Sequence, residues 1–207
     1  LGTDSSFEWT LDAGEHLIEV TEPPVSVVVI WDTSGSMEGS TRALQGAVES
    51  YLDQLRPEDR VALIRFSGDV EVVAPLDHYS KETKAAIEGK FNAIGGTALY
   101  DAVLQGMEML EGVRGNRAIL LMTDGEDSRS KNHNSDLWNM IEKKRIRIYS
   151  IGLGEHWDMY HHCIGNSGKR FLSNLALATN GKAFFAPSKN ELKSIYQKIS
   201  DELQQIS

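Results

Sequence analysis

The chain has 207 residues, 41% hydrophobic and 25% charged, which fits a globular protein with one sizeable core. Its formal charge of −9 opposes phosphate backbones and anionic lipid surfaces, so nucleic acid is not expected as a partner. No apolar run approaches the ~20 residues of a transmembrane helix, and the single cysteine, Cys163, excludes an internal disulfide.

The chain begins Leu1-Gly2-Thr3-Asp4, neither an initiator Met nor a charged-then-apolar leader, and is expected to be a fragment. Residues 1–24 carry two short strand patterns around Asp12-Ala13-Gly14 and a stiff Pro23-Pro24 junction; they are expected to be the tail of an upstream β module or an added edge. The main domain is expected over 25–207. It opens with a Val/Ile run from Val25 to Trp31, continuous rather than alternating, as in strands covered on both faces. Leu44, Ala47, Val48, Tyr51, Leu52 and Leu55 then keep the spacing of one apolar helix face. A second strand, Val61 to Phe66, is joined through Ser67-Gly68-Asp69 to an antiparallel edge strand, Val70 to Pro75.

Helices follow from Ser80, an expected N-cap, to Phe91, and from Thr97 to Leu110. The remaining chain alternates: strand Arg117 to Met122, helix Ser135 to Lys144, strand Ile146 to Leu153, helix Arg170 to Thr179 stopped by Gly181, and strand Ala183 to Ala186. A last amphipathic helix carries Leu192, Ile195, Tyr196, Ile199 and Leu203. Alternation of this kind predicts a doubly wound α/β domain with right-handed crossovers.

In open α/β sheets the functional crevice lies beyond the carboxyl ends of the strands. Three loops there carry oxygen donors: Asp32-Thr33-Ser34-Gly35-Ser36, Gly95-Gly96-Thr97 and Thr123-Asp124-Gly125. Asp32, Ser34, Ser36, Thr97 and Asp124 form an all-oxygen set without His or Cys, which suits Mg²⁺ or Mn²⁺, and Ca²⁺ less well. In an extended loop Asp32, Ser34 and Ser36 would point the same way. Two carboxylates neutralise a divalent ion, and five protein groups leave a sixth position for a partner's carboxylate.

These motifs, "DTSGSM", "GGTALYDAV" and "LLMTDGEDS" in that order, resemble the von Willebrand factor type A domain with its metal-ion-dependent adhesion site, and the likeness covers roughly residues 25–205. The flanking residues look more like the bacterial and calcium-channel-subunit branches than the collagen-binding ones. The resemblance implies a Rossmann-like, mostly parallel six-stranded sheet with one antiparallel edge strand and the metal at its top. By the same resemblance, Ser34 and Ser36 bind the ion directly, Thr97 directly or through water, and Asp32 and Asp124 often through water. It also implies an acidic residue of a protein ligand in the open position, and a last helix, about residues 190–205, able to shift. The stretch from Glu155 to Lys169, rich in His, Gly and Asn, departs from a simple connection.

Other readings compete with these. Asp32 and the serines could simply cap a helix, Thr97 could do both jobs, and Glu126 and Asp127 read as solvated rim residues partly offset by Arg129 and Lys131. His156, His161, His162 and Cys163 invite a zinc site, but their spacing favours a polar surface loop. An aspartic protease dyad of Asp32 and Asp124 conflicts with the helical span between them, and a phosphoaspartyl enzyme lacks its second acid at Ser34. The expectation is a non-enzymatic, divalent-cation-dependent protein-binding module acting outside the cytoplasm. A purely structural metal is the alternative, and a metal-assisted hydrolase the third reading.

Overall fold

The computed structural model describes residues 24–37, 41–87, 95–152, 167–185 and 189–204. The expectations for residues 1–23 and for the zinc candidates His156, His161, His162 and Cys163 lie outside the described residues. β1 (Val25–Asp32) is buried along its whole length, as its run of β-branched residues demands. α1 (Thr41–Leu52), β2 (Arg60–Phe66), β3 (Val70–His78), α2 (Lys81–Ile87) and α3 (Leu99–Met109) follow. The second half comprises β4 (Asn116–Thr123), α4 (Asn134–Lys144), β5 (Arg147–Gly152), α5 (Ser167–Ala178), β6 (Ala183–Phe185) and α6 (Lys189–Gln204).

The six strands form one sheet in the order β3-β2-β1-β4-β5-β6, parallel throughout except for the β2–β3 hairpin, closed by Ser67 N donating to Asp69 O at 3.0 Å. This is the expected Rossmann-like arrangement. β3 continues beyond Pro75, where the sequence reading stopped, because it lies at the sheet edge and a proline there need not interrupt a ladder on both sides.

Side-chain alternation along β1 feeds two cores. Val27, Val29 and Trp31 pack with Tyr51, Leu52, Tyr196 and Ile199 of α1 and α6. Val28 and Ile30 pack on the other face with Leu99, Val103, Leu137 and Leu172 of α3, α4 and α5. Each fully buried aliphatic contributes about 1.5–3 kcal/mol relative to exposure. The start of β1 is fixed by the buried Asp59, whose carboxylate accepts from Val25 N at 2.9 Å and from Arg56 Nη2 at 3.0 Å. Burial would raise this carboxyl, but its hydrogen bonds from Arg56 and Val25 prevail and hold it below the ordinary range.

Ser80 caps α2 as expected, accepting from Thr83 N at 3.3 Å. The stop after α5 differs from expectation in its reason. The left-handed residue is Asn180, with φ 55°, whereas Gly181 is required because a Cβ there would lie 2.0 Å from Ile148 O of the neighbouring strand.

The strand order reverses at β1, with β2 on one side and β4 on the other. That reversal falls between β1 and β4, at whose carboxyl ends Asp32 and Thr123 stand, the place where open α/β sheets form their functional crevice.

Candidate metal centre

Asp32 is 1% exposed, and both of its oxygens accept hydrogen bonds: Oδ1 from Ser34 N at 2.7 Å, Oδ2 from Thr123 Oγ1 at 2.6 Å. Thr123 in turn accepts from Gly125 N at 3.1 Å. Thr33 turns the other way, donating N and Oγ1 to Phe66 O of β2 at 2.8 and 3.0 Å. The next residues are not extended, which corrects the reason given for their convergence. Gly35–Met37 form a single 3-10 turn closed by Met37 N donating to Ser34 O at 3.0 Å. Tight winding, rather than strand alternation, brings Ser34 Oγ and Ser36 Oγ to 3.1 Å; Ser34 is buried and Ser36 exposed.

The second loop is tied to the first by Gly35 N donating to Gly95 O at 3.3 Å, and to the hairpin by Ala98 N donating to Ser67 O at 2.7 Å. Thr97 is buried, its N–H donating to Ser128 Oγ at 3.0 Å and its carbonyl accepting from Ser128 N and Arg129 N at 2.8 and 2.9 Å. Thr97 does not cap α3, as one reading had allowed. The N-cap position is Ala98, which has no capping side chain. The cap arrives from Asp127, whose Oδ1 accepts from Leu99 N at 2.8 Å and Tyr100 N at 3.3 Å. Asp127 is therefore not the solvated rim residue expected.

In the third loop Asp124 is half-buried, and its Oδ1 accepts from Glu126 N at 3.1 Å. Gly125 has φ +85°, which favours glycine. The loop packs directly on the first turn of α5, where a Cβ on Gly168 would meet Asp124 O at 2.2 Å, and Ser167 Oγ donates to Glu126 Oε1 at 2.7 Å.

Burial pushes the Asp32 carboxyl up to about 6. Its bonds with Ser34 and Thr123 pull the other way, and the negative charge of Asp124 adds to the rise. The donor set fits a hard divalent ion. At metal–oxygen distances of about 2.1 Å, adjacent ligands of an octahedron stand roughly 3 Å apart, close to the 3.1 Å between the two serine hydroxyls. The Asp32 carboxylate, with about four lone-pair sites, also keeps acceptor capacity beyond its bonds with Ser34 and Thr123, enough for a water. Among the described residues no three His, Cys, Asp or Glu side chains gather as a metal-binding group, so a cation here would depend on hydroxyls.

Asp32, Ser34 and Ser36 thus gather at the reversal of strand order, Asp124 directly follows the Thr123 that donates to Asp32, and Thr97 lies on a loop bonded to the first. Sequence reasoning placed Thr123 in the third loop but not its bond from β4 to Asp32, and it missed that the segment Asp127-Ser128-Arg129-Ser130 holds the backbone of Thr97 and the start of α3. The only signal for the latter was an Asp-x-x-Ser pattern in a polar loop.

The chain belongs to the von Willebrand factor type A domain family, whose model matches residues 26–198. It is similar to inter-alpha-trypsin inhibitor heavy chain H3 of Bos taurus, 27% identical over 203 residues, covering 87% of this chain and 21% of that protein. It is also similar to the uncharacterized protein YfbK of Escherichia coli strain K12, 24% identical over 197 residues, covering 89% of this chain and 32% of that protein. The chain therefore spans a minor part of these curated relatives, which include mammalian and bacterial proteins.

Among solved structures, a von Willebrand factor type A protein from Catenulispora acidiphila aligns with a TM-score of 0.71 at 22% identity, covering 87% of this chain and 42% of that one. The von Willebrand factor domain of a type V pilus tip protein from Porphyromonas gingivalis aligns with a TM-score of 0.68 at 13% identity, covering 90% of this chain and 98% of that one. These likenesses establish the shared fold. Domains of this family commonly serve protein interaction and adhesion, and no helix among the described residues is long and apolar enough to cross a membrane.

Proposed function

We propose that this domain is a divalent-cation-dependent protein-binding module, without catalytic activity of its own. Asp32, Ser34, Ser36, Thr97 and Asp124 hold Mg²⁺ or Mn²⁺, with Ca²⁺ less favoured, and an Asp or Glu side chain of a partner protein completes the coordination. The observation that carries this reading is the buried Asp32 carboxylate at the reversal of strand order, beside two hydroxyls 3.1 Å apart. A carboxyl pushed up to about 6 by burial is an anion short of compensation at neutral pH, and a bound cation would supply it.

A structural staple is the second reading. Against it, hydrogen bonds of the protein itself join the three loops, through Thr123 to Asp32, Gly35 to Gly95 and Ser128 to Thr97. An exposed Ser36 and a half-buried Asp124 leave the site approachable from solvent, as ligand exchange requires. The pilus tip protein of the same fold supports placing the full-length protein outside the cytoplasm.

Isothermal calorimetry with MnCl₂ tests the assignment. One ion per wild-type chain is expected, with binding lost in Asp32→Ala and in Ser34→Ala while circular dichroism stays native. Unchanged Mn²⁺ affinity in both variants would reject it.

A further inference from the structure

We propose that Asp127 is a positioning residue for Thr97, and that it acts by relieving Thr97 of helix capping. This rests on the metal-site reading above.

α3 starts at Leu99, two residues beyond Thr97, and its first amides have no partner within the helix. The usual solution is a local Ser, Thr, Asp or Asn whose oxygen accepts from those amides. Thr97 is the nearest hydroxyl, and committing it would turn its oxygen toward the helix and away from an ion. Here the work is done from 28 residues away. Asp127 Oδ1 accepts from Leu99 N and Tyr100 N, and Ser130 Oγ accepts from Asp101 N at 3.2 Å while donating to Asp127 Oδ1 at 2.6 Å. Asp127 also places a negative charge at the positive end of the helix dipole.

The same segment clamps the backbone of Thr97 from both sides, through Ser128 Oγ on its N–H and the amides of Ser128 and Arg129 on its carbonyl. The lock is returned by Asp101, whose carboxylate accepts from Lys131 N at 2.8 Å, Asn132 N at 3.0 Å and Asn132 Nδ2 at 2.8 Å. With the helix amides and both backbone groups of Thr97 satisfied from residues 127–130, its side-chain hydroxyl has no capping duty. Its location is set by the third loop rather than by its own glycine-flanked one.

The test combines MnCl₂ calorimetry with amide hydrogen exchange in EDTA on the wild type, Asp127→Ala, Asp127→Asn and Ser128→Ala. Asp127→Ala should weaken Mn²⁺ binding by about 10–100-fold, the range typical of groups that orient metal ligands, and should speed exchange at Leu99 and Tyr100. Asp127→Asn keeps an acceptor oxygen and should return to within a few-fold of wild type. Ser128→Ala should weaken binding by about tenfold and carries the test if Asp127→Ala does not fold. Wild-type affinity in Asp127→Ala, or in a folded Ser128→Ala, together with faster exchange, would overturn this proposal while leaving the metal reading standing. A wild type that binds no Mn²⁺ removes both.

Discussion

Asp32 carries a titration that links the stability of the domain to pH. Its folded value of about 6 lies above the 3.8 of a free side chain, chiefly because it is buried. Between those values the folded state binds more protons than the unfolded one, so this group's contribution to stability falls as pH rises from about 4 to 6. Above pH 6 the accumulated penalty is about 3 kcal/mol, from roughly 1.4 kcal/mol per pH unit. Replacing Asp32 by Asn removes the titration. In EDTA at pH 7.5, Asp32→Asn should therefore unfold at a higher urea concentration than the wild type, with the gap closing toward pH 4.5. Added Mg²⁺ should stabilise the wild type and not the variant. A gap independent of pH would show that the buried charge is not its source.

Among the elements that carry none of the donors, α5 packs directly on the third loop. Its first turn lies against Asp124 and Gly125 so closely that neither Gly125 nor Gly168 has room for a Cβ, and Ser167 donates to Glu126. A methyl group on Gly168 would meet a backbone oxygen at 2.2 Å, which a rotamer change cannot relieve. Gly168→Ala should consequently push α5 and the third loop apart, at a cost of about 1–3 kcal/mol for overpacking. It should also weaken Mn²⁺ binding, because Asp124 moves with the loop. Chemical denaturation and calorimetry on one preparation measure the two effects together, and a loss of stability without a loss of affinity would mean that only α5 yields.

For the whole molecule, the two-sided sheet ties the centre to packing far from it. α6 closes one face through Leu192, Ile195, Tyr196, Ile199 and Leu203. The Tyr196 hydroxyl donates to Met122 Sδ at 3.0 Å in β4, the strand that carries Thr123, and its ring meets Tyr51 of α1 at 5.8 Å between centroids. Burial pushes the Tyr196 phenol well above its ordinary range, so it stays protonated and donating. Tyr196→Ala should cost about 3–5 kcal/mol, as large aromatic truncations in cores do. Tyr196→Phe should cost about 1 kcal/mol, the worth of one hydrogen bond. Urea unfolding of the two variants separates the ring's packing from the hydroxyl's bond.

The strands were legible in the sequence because a run such as Val25 to Trp31 fits a strand buried on both faces, as in a parallel sheet covered by helices, and the hairpin turn and helix stripes set the order of elements. The oxygen donors were legible because Asp32, Ser34, Ser36, Thr97 and Asp124 fall just past strand ends or before a helix. What the sequence did not reveal is how they are held. The bond from Thr123 to Asp32 and the capping of α3 by Asp127 depend on partners 91 and 28 residues away in the chain, while the local 3-10 turn that joins two serine hydroxyls stands where the alternate spacing suggested an extended loop. Periodicity and local propensity report which residues a segment buries, since those are properties of neighbouring residues. The direction of a hydrogen bond across a sheet edge, and the depth that shifts the acidity of Asp32, exist only once distant loops have been packed together.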